Sequence, residues 1–264
     1  MNSFLEDNNR NWLRGDVEGM TIALVCIAKN EDETIREWFE YHKKIGFTSI
    51  YIYQNDWACQ IEDEILHKKK IIGKHKQIEA YNNWISTKKN DYDFVCFIDC
   101  DEFIVLKKHA NIRDFLLDYA NPNGVAMNWV MFGSGGQTEC GENKDSLLKR
   151  FLRRSSKVNQ HIKSILATNN LHAMASPHHS TKFTYDTNWK KVQGPFNPNG
   201  PTDTIQLNHY YFKSLEEWKK RLERGQADHT TRSLGDWTAS MSRFAEVNDT
   251  MARDWFYNKT IKLI

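Results

Sequence analysis

The sequence has few prolines and glycines, a scattered and odd number of cysteines, and no long hydrophobic run. Five prolines and 13 glycines in 264 residues exclude a collagen-like or linker-dominated chain. The longest apolar run, residues 22–28, has seven residues, whereas a membrane-spanning helix needs about 20. Five cysteines without a C-x-x-C pair argue against a disulfide framework or a zinc ribbon. They predict a reducing, cytoplasmic environment.

An excess of charge of one sign is also missing. The chain has 36 Lys and Arg against 34 Asp and Glu, a net charge of +2, which disfavours nucleic acid as a partner. A hydrophobic fraction of 40% with 12% aromatic residues predicts a folded domain with a sizeable core. The first 19 residues lack the basic start and apolar centre of a secretory signal peptide, which also favours the cytoplasm.

Apolar runs and helical periodicity alternate along the first half of the chain. We predict strands at residues 21–28, 49–53, 94–98 and 125–131, and helices at 35–45, 78–85 and 112–119. This order predicts an α/β fold, with an open, mostly parallel sheet and helices on both faces. The second half is less regular. Its firmest element is a helix at 215–224, with a capping box of Ser214 and Glu217 and with Gly225 as its C-terminal cap.

Polar, acidic segments directly follow three of the predicted strands, at residues 29–32, 54–56 and 99–102. Ligands of open α/β sheets bind at the carboxyl ends of the strands. If the chain stays extended after Ile98, Asp99 and Asp101 point to the same side. Two converging carboxylates favour a cation, and Mn²⁺ or Mg²⁺ commonly joins carboxylates to phosphates. The alternative, that these acids cap a helix or face solvent, stays open at this point.

Other site motifs with related chemistry are missing from the sequence. The D-x-D-x-[ST] pattern of haloacid-dehalogenase phosphatases fails, because Phe103 takes its last position. There is no GxxxxGK[ST] phosphate loop, GxGxxG fingerprint, HExxH helix or GxSxG elbow.

A series of short motifs in a fixed order resembles the GT-A fold glycosyltransferases related to families 92 and 2. The resemblance covers about residues 21–228. The motifs are Ala28-Lys29-Asn30-Glu31, Glu37-Trp38, Tyr41-His42, Gly46, Tyr51-Ile52-Tyr53, Phe97-Ile98-Asp99-Cys100-Asp101-Glu102-Phe103, Asn128-Trp129-Val130-Met131-Phe132-Gly133-Ser134, Lys163-Ser164-Ile165, Pro177-His178, Asn208-His209-Tyr210-Tyr211-Phe212-Lys213-Ser214 and Arg224-Gly225.

The resemblance implies one Rossmann-like glycosyltransferase domain over residues 1–264, with a nucleotide-sugar half at about 20–130 and an acceptor half at about 131–264. It implies that Asp99 and Asp101 hold Mn²⁺ or Mg²⁺ against a UDP-sugar, with His209 as a further metal ligand. From its spacing alone, without the resemblance, His209 is predicted to be an ordinary, partly buried residue of a strand. The donor-binding positions that it implies are Asn30, Glu31, Asp56, Gln77 and Asp99.

Two basic side chains have open alternatives. Lys163 could bind the donor phosphate or lie in solvent, and His178, with His179, could contact the donor phosphate or the acceptor, or lie on an exposed loop.

The resemblance implies transfer of a hexose, with galactose the first candidate, to a glycan or glycolipid of a surface polysaccharide or lipopolysaccharide. An inverting transfer needs a carboxylate base. Asp228 is the first candidate, with Asp236 and Glu139 as alternatives.

Residues 147–157 have five basic side chains interleaved with apolar ones, a pattern that fits a basic amphipathic helix. Such a helix would contact anionic lipid at the inner face of the membrane, or would simply be solvated. Trp189, Trp237 and Trp255 could stack on sugar rings or belong to the core.

Two further functions stay open: a non-catalytic module that binds nucleotide-sugars or glycans, and a metal-dependent phosphohydrolase or nucleotidyltransferase.

Overall fold

The computed structural model of the chain describes residues 19–224 and 232–258. The strands are β1 (Ile22–Ala28), β2 (Ser49–Asn55), β3 (Leu66–Ile71), β4 (Phe94–Phe97), β5 (Glu102–Leu106), β6 (Val125–Met131), β7 (Arg153–Arg154), β8 (Ile162–Ala167), β9 (Thr184–Tyr185), β10 (Lys191–Val192), β11 (Ile205–His209) and β12 (Val247–Asn248). The helices are α1 (Ile35–Ile45), α2 (Gln77–Lys88), α3 (Ile112–Tyr119), α4 (Leu147–Arg150), α5 (Leu215–Arg224), α6 (Leu234–Arg243) and α7 (Met251–Tyr257).

Ten of these strands form one curled sheet. Its main path runs β10-β9-β6-β8-β4-β1-β2-β3, and β11 pairs with both β5 and β6. The pairs of β1 with β2 and β4, of β2 with β3, and of β6 with β11 are parallel. The carboxyl ends of β1, β2 and β4 therefore meet at one edge of the sheet, which we call the carboxyl edge.

Helices cover both faces of the sheet. Ile22, Leu24 and Cys26 of β1 pack in the same cluster as the buried side chains of α1 and α3. The alternate residues Ala23 and Val25 pack on the other face with α2. Continuous apolar strands give this double burial, because successive side chains point to opposite faces. The predicted mixed α/β class and mostly parallel sheet are confirmed.

The predicted C-terminal end of α1 and the predicted N-terminal cap of α5 also agree with the structure. Helix α1 ends at Gly46, whose φ of 109° is a left-handed conformation that suits glycine. The capping box of α5 is present, since Ser214 N donates to Glu217 Oε2 at 2.9 Å and Glu217 N donates to Ser214 Oγ at 3.3 Å. Gly225, the predicted cap of α5, lies outside the described residues.

The predicted basic amphipathic helix at residues 147–157 is wrong. Helix α4 stops at Arg150, and the chain continues into the short strand β7. Arg150 forms a buried bidentate ion pair with Glu217, and Arg154 Nε lies 2.7 Å from Asp249 Oδ2. Specific carboxylates thus neutralise two of the five charges. A membrane contact through this segment would have to use the three remaining basic residues rather than a helix face.

The five cysteines are all free thiols, and four of them are buried. Within residues 19–224 and 232–258, no helix is both long and apolar enough to cross a bilayer.

Candidate functional site

The acidic motif at the end of β4 adopts a turn. Glu102 N donates to Asp99 O at 3.0 Å, which closes the turn, and β5 begins at Glu102. The expectation that the chain stays extended past Ile98 is therefore wrong. Because β5 has to pair with β11, the chain must change direction within these four residues. Asp99 and Asp101 consequently contact different partners.

Asp99 is the more exposed of the two aspartates, with 32% of its side chain accessible. Gln77 Nε2, in the first turn of α2, donates to Asp99 Oδ1 at 2.5 Å. Lys163 Nζ, near the start of β8, lies 3.4 Å from Asp99 Oδ2. Three of the predicted donor-binding residues, Gln77, Asp99 and Lys163, thus lie in contact.

Lys163 is not solvated, because its side chain is fully buried. Its ammonium group donates to Pro177 O at 3.1 Å and lies 3.8 Å from Glu102 Oε2. Burial by itself lowers the pKa of Lys163, but Asp99 and Glu102 raise it above its usual value. Burial and the nearby Asp99 hold the pKa of Glu102 well above the usual range, although Lys163 opposes them. The ammonium group of Lys163 thus lies closer to Asp99, at 3.4 Å, than to Glu102, whose pKa is raised.

Asp101 is buried between two basic groups. Arg221 Nη2 of α5 lies 2.7 Å from Asp101 Oδ2, and His209 Nε2, at the end of β11, lies 3.4 Å from Oδ1. Burial alone would raise the pKa of Asp101, but His209 and Arg221 outweigh it and hold this pKa well below its usual range. Asp101 is therefore an ionised carboxylate with both oxygens facing cationic or imidazole groups.

The loop after β1 contributes Asn30 and Glu31 to the carboxyl edge. Asn30 is exposed and has a left-handed φ of 56°. Glu31 is buried, and its carboxylate lies 3.1 Å from Lys213 Nζ and 3.2 Å from Arg224 Nη1. Charges from the C-terminal part of the chain thus neutralise this acid, as they neutralise Asp101.

The loop after β2 lies against the loop after β1. Asp56, with a left-handed φ of 49°, lies 3.2 Å from Lys29 Nζ. Trp57 Nε1 donates to Asp32 Oδ1 at 2.8 Å. These two contacts join the loops into one wall of the carboxyl edge, at positions where the resemblance implies contacts with the donor.

Aromatic rings extend from His209 away from Asp101. The ring centroids of His209 and Trp129 are 4.3 Å apart, those of Trp129 and His161 are 5.0 Å apart, and those of His161 and Phe196 are 4.8 Å apart. We call these four residues the aromatic row. His178 packs edge-on against Trp129 at 4.9 Å, and Phe196 is 43% exposed.

Two of the histidines beside Trp129, His178 and His161, have lowered pKa values. Burial, together with the neighbouring Lys163, lowers the pKa of His178 to about 3, and burial also lowers the pKa of His161. His178 Nδ1 donates to Ile162 O at 3.2 Å, so the neutral ring presents Nε2 as an acceptor. Such a ring hydrogen-bonds a hydroxyl group better than it neutralises a phosphate. His178 therefore suits a contact with a hydroxyl group of the sugar acceptor rather than with the phosphate of the sugar donor.

Two of the three candidate bases, Asp236 and Glu139, lie within the described residues. Asp236 Oδ2 accepts from Ser233 N at 2.7 Å and from Ser233 Oγ at 3.1 Å, so its carboxylate caps α6. Glu139 is exposed on the long loop after β6. Asp228 lies outside the described residues.

The three tryptophans named as sugar-stacking candidates lie away from the aromatic row. Trp237 is buried, and its Nε1 donates to Lys213 O at 3.2 Å. Trp189 stacks on Tyr119 with a centroid distance of 6.4 Å. Trp255 lines a cavity of about 430 Å³ beside the far end of β5, at Leu106. Trp129 was not among the predicted sugar-stacking residues, although it belongs to one of the quoted motifs.

Two of the three predicted metal ligands converge. Asp101 Oδ1 and His209 Nε2 lie 3.4 Å apart, a spacing compatible with two neighbouring ligands of an ion held at about 2.1 Å. Within the described ranges, no third His, Cys, Asp or Glu joins them to make a metal-binding group. Small divalent ions commonly take one or two protein ligands and complete their shell with phosphate and water. The pair therefore fits an ion shared with a substrate phosphate, while Asp99 contacts Gln77 and Lys163 instead.

Comparison with known proteins identifies the family. The family model of glycosyltransferase family 92 matches residues 23–247. A glycosyltransferase family 92 protein of Ricinus communis is 24% identical over 275 aligned positions, which cover 92% of this chain and 48% of that protein. A glycosyltransferase family 92 protein of Oryza sativa subsp. japonica is 24% identical over 123 positions, or 42% of this chain and 20% of that protein.

The chain spans about half the length of the first relative. The family match, by contrast, extends from β1 to β12 and includes the D-x-D turn, the aromatic row and α5. The family 92 part of the sequence resemblance is thereby confirmed: this chain belongs to glycosyltransferase family 92.

Proposed function

We propose that this chain is a metal-dependent glycosyltransferase of the GT-A type. It moves a hexose, with galactose the first candidate, from a UDP-sugar to a hydroxyl group of a glycan or glycolipid. We place this reaction in the synthesis of a surface polysaccharide or lipopolysaccharide, in the cytoplasm or at the inner face of the membrane. The observation that supports the proposal most is the convergence of Asp101 and His209 at the carboxyl edge, in a chain of family 92.

The donor diphosphate binds at the D-x-D turn in this proposal. Asp101 and His209 would hold Mn²⁺, or Mg²⁺, and their oxygen and imidazole donors suit Mn²⁺. When bound, the ion supplies charge neutralisation for the diphosphate that leaves. Gln77 keeps Asp99 oriented towards the same edge, and the buried Lys163 limits the negative charge there.

The nucleoside part of the donor binds between the loops after β1 and β2. Asn30 and Asp56 present an amide and a carboxylate group there, and the Lys29–Asp56 pair holds the two loops together. A uracil ring and a ribose offer hydrogen-bond donors that such oxygens accept. Glu31 supports the first loop through its ion pairs with Lys213 and Arg224.

The acceptor lies along the aromatic row. A sugar ring exposes C–H groups that pack on aromatic faces, and hydroxyl groups that hydrogen-bond uncharged imidazoles. Phe196 is the exposed end of the row, and His209 joins the row to Asp101. The row thus leads from the surface to the position of the donor.

The reaction is an inverting displacement in this proposal. The acceptor oxygen forms a bond to the anomeric carbon, while the bond from that carbon to the β-phosphate oxygen breaks and its electron pair leaves with UDP. The acceptor proton passes to a carboxylate base. Asp228 remains the first candidate, because Asp236 is engaged in capping α6 and Glu139 is exposed.

A panel of UDP-sugars, incubated with Mn²⁺ and a mixture of glycan and glycolipid acceptors, tests the proposal. We expect UDP release from one sugar, loss of release with a chelator, and loss of release in Asp101→Asn. Asp114→Asn, at the start of the distant helix α3, is the matched control.

The products separate the other functions. Transfer gives UDP and a new glycoside, whereas a phosphohydrolase or nucleotidyltransferase gives phosphate or pyrophosphate. UDP-sugar binding without any turnover would point to a non-catalytic module. Each of these results would contradict the proposed transfer.

A further inference from the structure

Arg221 places a positive charge beside Asp101, the carboxylate that an incoming metal ion would bind. Its Nη2 lies 2.7 Å from Asp101 Oδ2, and its Nη1 donates to Tyr211 O at 2.8 Å. The guanidinium group also lies 4.4 Å from the centre of the Tyr211 ring. These contacts hold the guanidinium group against Asp101 in this arrangement, with only 14% of the Arg221 side chain exposed.

Both oxygens of Asp101 are engaged in this arrangement. Arg221 contacts one oxygen and His209 faces the other. A divalent ion that binds Asp101 brings its positive charge next to the guanidinium group, and charges at such short distances repel strongly in a buried site. The ion therefore competes with Arg221 for the same carboxylate.

A second arginine of α5 faces the carboxyl edge one turn further on. Arg224 and Arg221 are three residues apart, so they lie on the same side of the helix. Arg224 Nη1 lies 3.2 Å from Glu31 Oε1 and also donates to Lys29 O. Helix α5 thus places two planar cations over two acids of the edge, where a diphosphate would add negative charge.

We propose that Arg221 binds Asp101 when the site lacks a metal ion, and moves to the donor diphosphate when the ion binds. This inference rests on the proposed function, because it needs a diphosphate donor. Arginine suits both partners, since its fork of N–H groups matches carboxylate and phosphate oxygens. Arg221 thereby lowers the affinity of the empty site for the ion, and raises the affinity of the ion-loaded site for the nucleotide.

The test uses Mn²⁺ alone and UDP alone as probes. Binding of Mn²⁺ is followed by the electron paramagnetic resonance signal of the free ion, and binding of UDP at saturating Mn²⁺ by calorimetry. For Arg221→Gln, we expect Mn²⁺ to bind more tightly by on the order of tenfold, because the competing charge is gone. We expect UDP to bind more weakly by on the order of tenfold, because a charged hydrogen-bond donor to phosphate is lost.

The opposite signs of these two changes distinguish the proposal from structural damage. A variant that disturbs the fold would weaken the binding of both Mn²⁺ and UDP. Arg221→Lys keeps the charge but not the fork, so its two affinities should lie between those of the wild type and Arg221→Gln. Arg113→Gln, on α3, is the matched control and should bind both probes as the wild type does.

Two results would overturn the inference while leaving the proposed function intact. One is unchanged or weaker Mn²⁺ binding in Arg221→Gln when the wild type binds Mn²⁺ and UDP. The other is unchanged UDP binding in that variant. If the wild-type protein binds neither Mn²⁺ nor UDP, the proposed function itself fails.

Discussion

The ion pair between Arg150 and Glu217 allows a quantitative prediction about stability. The two parallel contacts, from Nη1 to Oε2 and from Nη2 to Oε1, measure 2.7 and 2.9 Å. Only 3% of the Arg150 side chain and 13% of the Glu217 side chain are exposed. The pair joins α4 to the first turn of α5, the helix that carries Arg221. It thus supports the position of that helix over the carboxyl edge.

We predict that Arg150→Met lowers the free energy of unfolding by about 3 kcal/mol at pH 7. The reason is that Glu217 remains buried after its cation is lost, and breaking one side of a buried pair costs about 3–5 kcal/mol. We take the lower end because Ser214 N and Ser214 Oγ still donate to Glu217. Chemical denaturation followed by circular dichroism measures this free energy.

The effect of Arg150→Met depends on pH in a defined direction. Burial alone would raise the pKa of Glu217, but Arg150 and Lys213 outweigh it and lower this pKa to about 2. A carboxylate whose folded-state pKa is depressed stabilises the fold above its unfolded-state pKa, at about 4.3. This contribution is lost as the pH falls through 2. The difference between wild type and variant should therefore shrink as the pH falls from about 4.3 towards 2.

Arg243→Met is the matched control, because Arg243 is exposed in the last turn of α6. It should change the unfolding free energy by less than about 0.5 kcal/mol. The reasoning is refuted if Arg150→Met is as stable as Arg243→Met at pH 7. It is also refuted if the loss in Arg150→Met is the same at pH 7 and pH 3.

Two further predictions concern the acceptor and the base. Phe196→Ala should raise the KM for the acceptor by on the order of tenfold and leave the KM for the UDP-sugar unchanged, because Phe196 lies at the exposed end of the aromatic row. Steady-state kinetics with each substrate varied in turn measures this, and an equal rise in both constants would contradict it. Asp236→Asn should keep the transfer rate within about twofold, since that carboxylate caps α6, while Asp228→Asn should lower kcat by about a hundredfold or more. A large loss of kcat in Asp236→Asn with an unchanged melting temperature would make Asp236 the base.

The first half of the fold was predictable because its apolar patterns are long and regular. Residues 22–28 are a continuous apolar strand, residues 125–131 are apolar except for Asn128, and α1 and α3 have a clear helical period. Strand β3 was missed, because its sequence Leu-His-Lys-Lys-Lys-Ile has no apolar alternation and its burial is low. Strand β5 was missed for another reason. It begins directly after the D-x-D motif, at Glu102, and only its distant pairing with β11 reveals the turn.

The acidic residues of the site were found from the sequence, but most of the basic ones were not. Strand-end acids are visible because they follow apolar runs directly. Arg221 and Lys213 reach Asp101 and Glu31 from more than 100 residues away in the chain, so no local pattern reveals the pairing. A weak signal existed, since Arg221 and Arg224 share one side of a helix that directly follows a quoted motif.

Binding of UDP to the protein with and without Mn²⁺ tests the central claim most directly, namely that Asp101 and His209 bind the donor diphosphate through a divalent ion. Calorimetry should show UDP binding that requires Mn²⁺ in the wild type and in Asp114→Asn. The same titration should show no Mn²⁺-dependent binding in Asp101→Asn. Equal UDP affinity in the presence of Mn²⁺ and of a chelator, or Mn²⁺-dependent binding that persists in Asp101→Asn, would contradict the account.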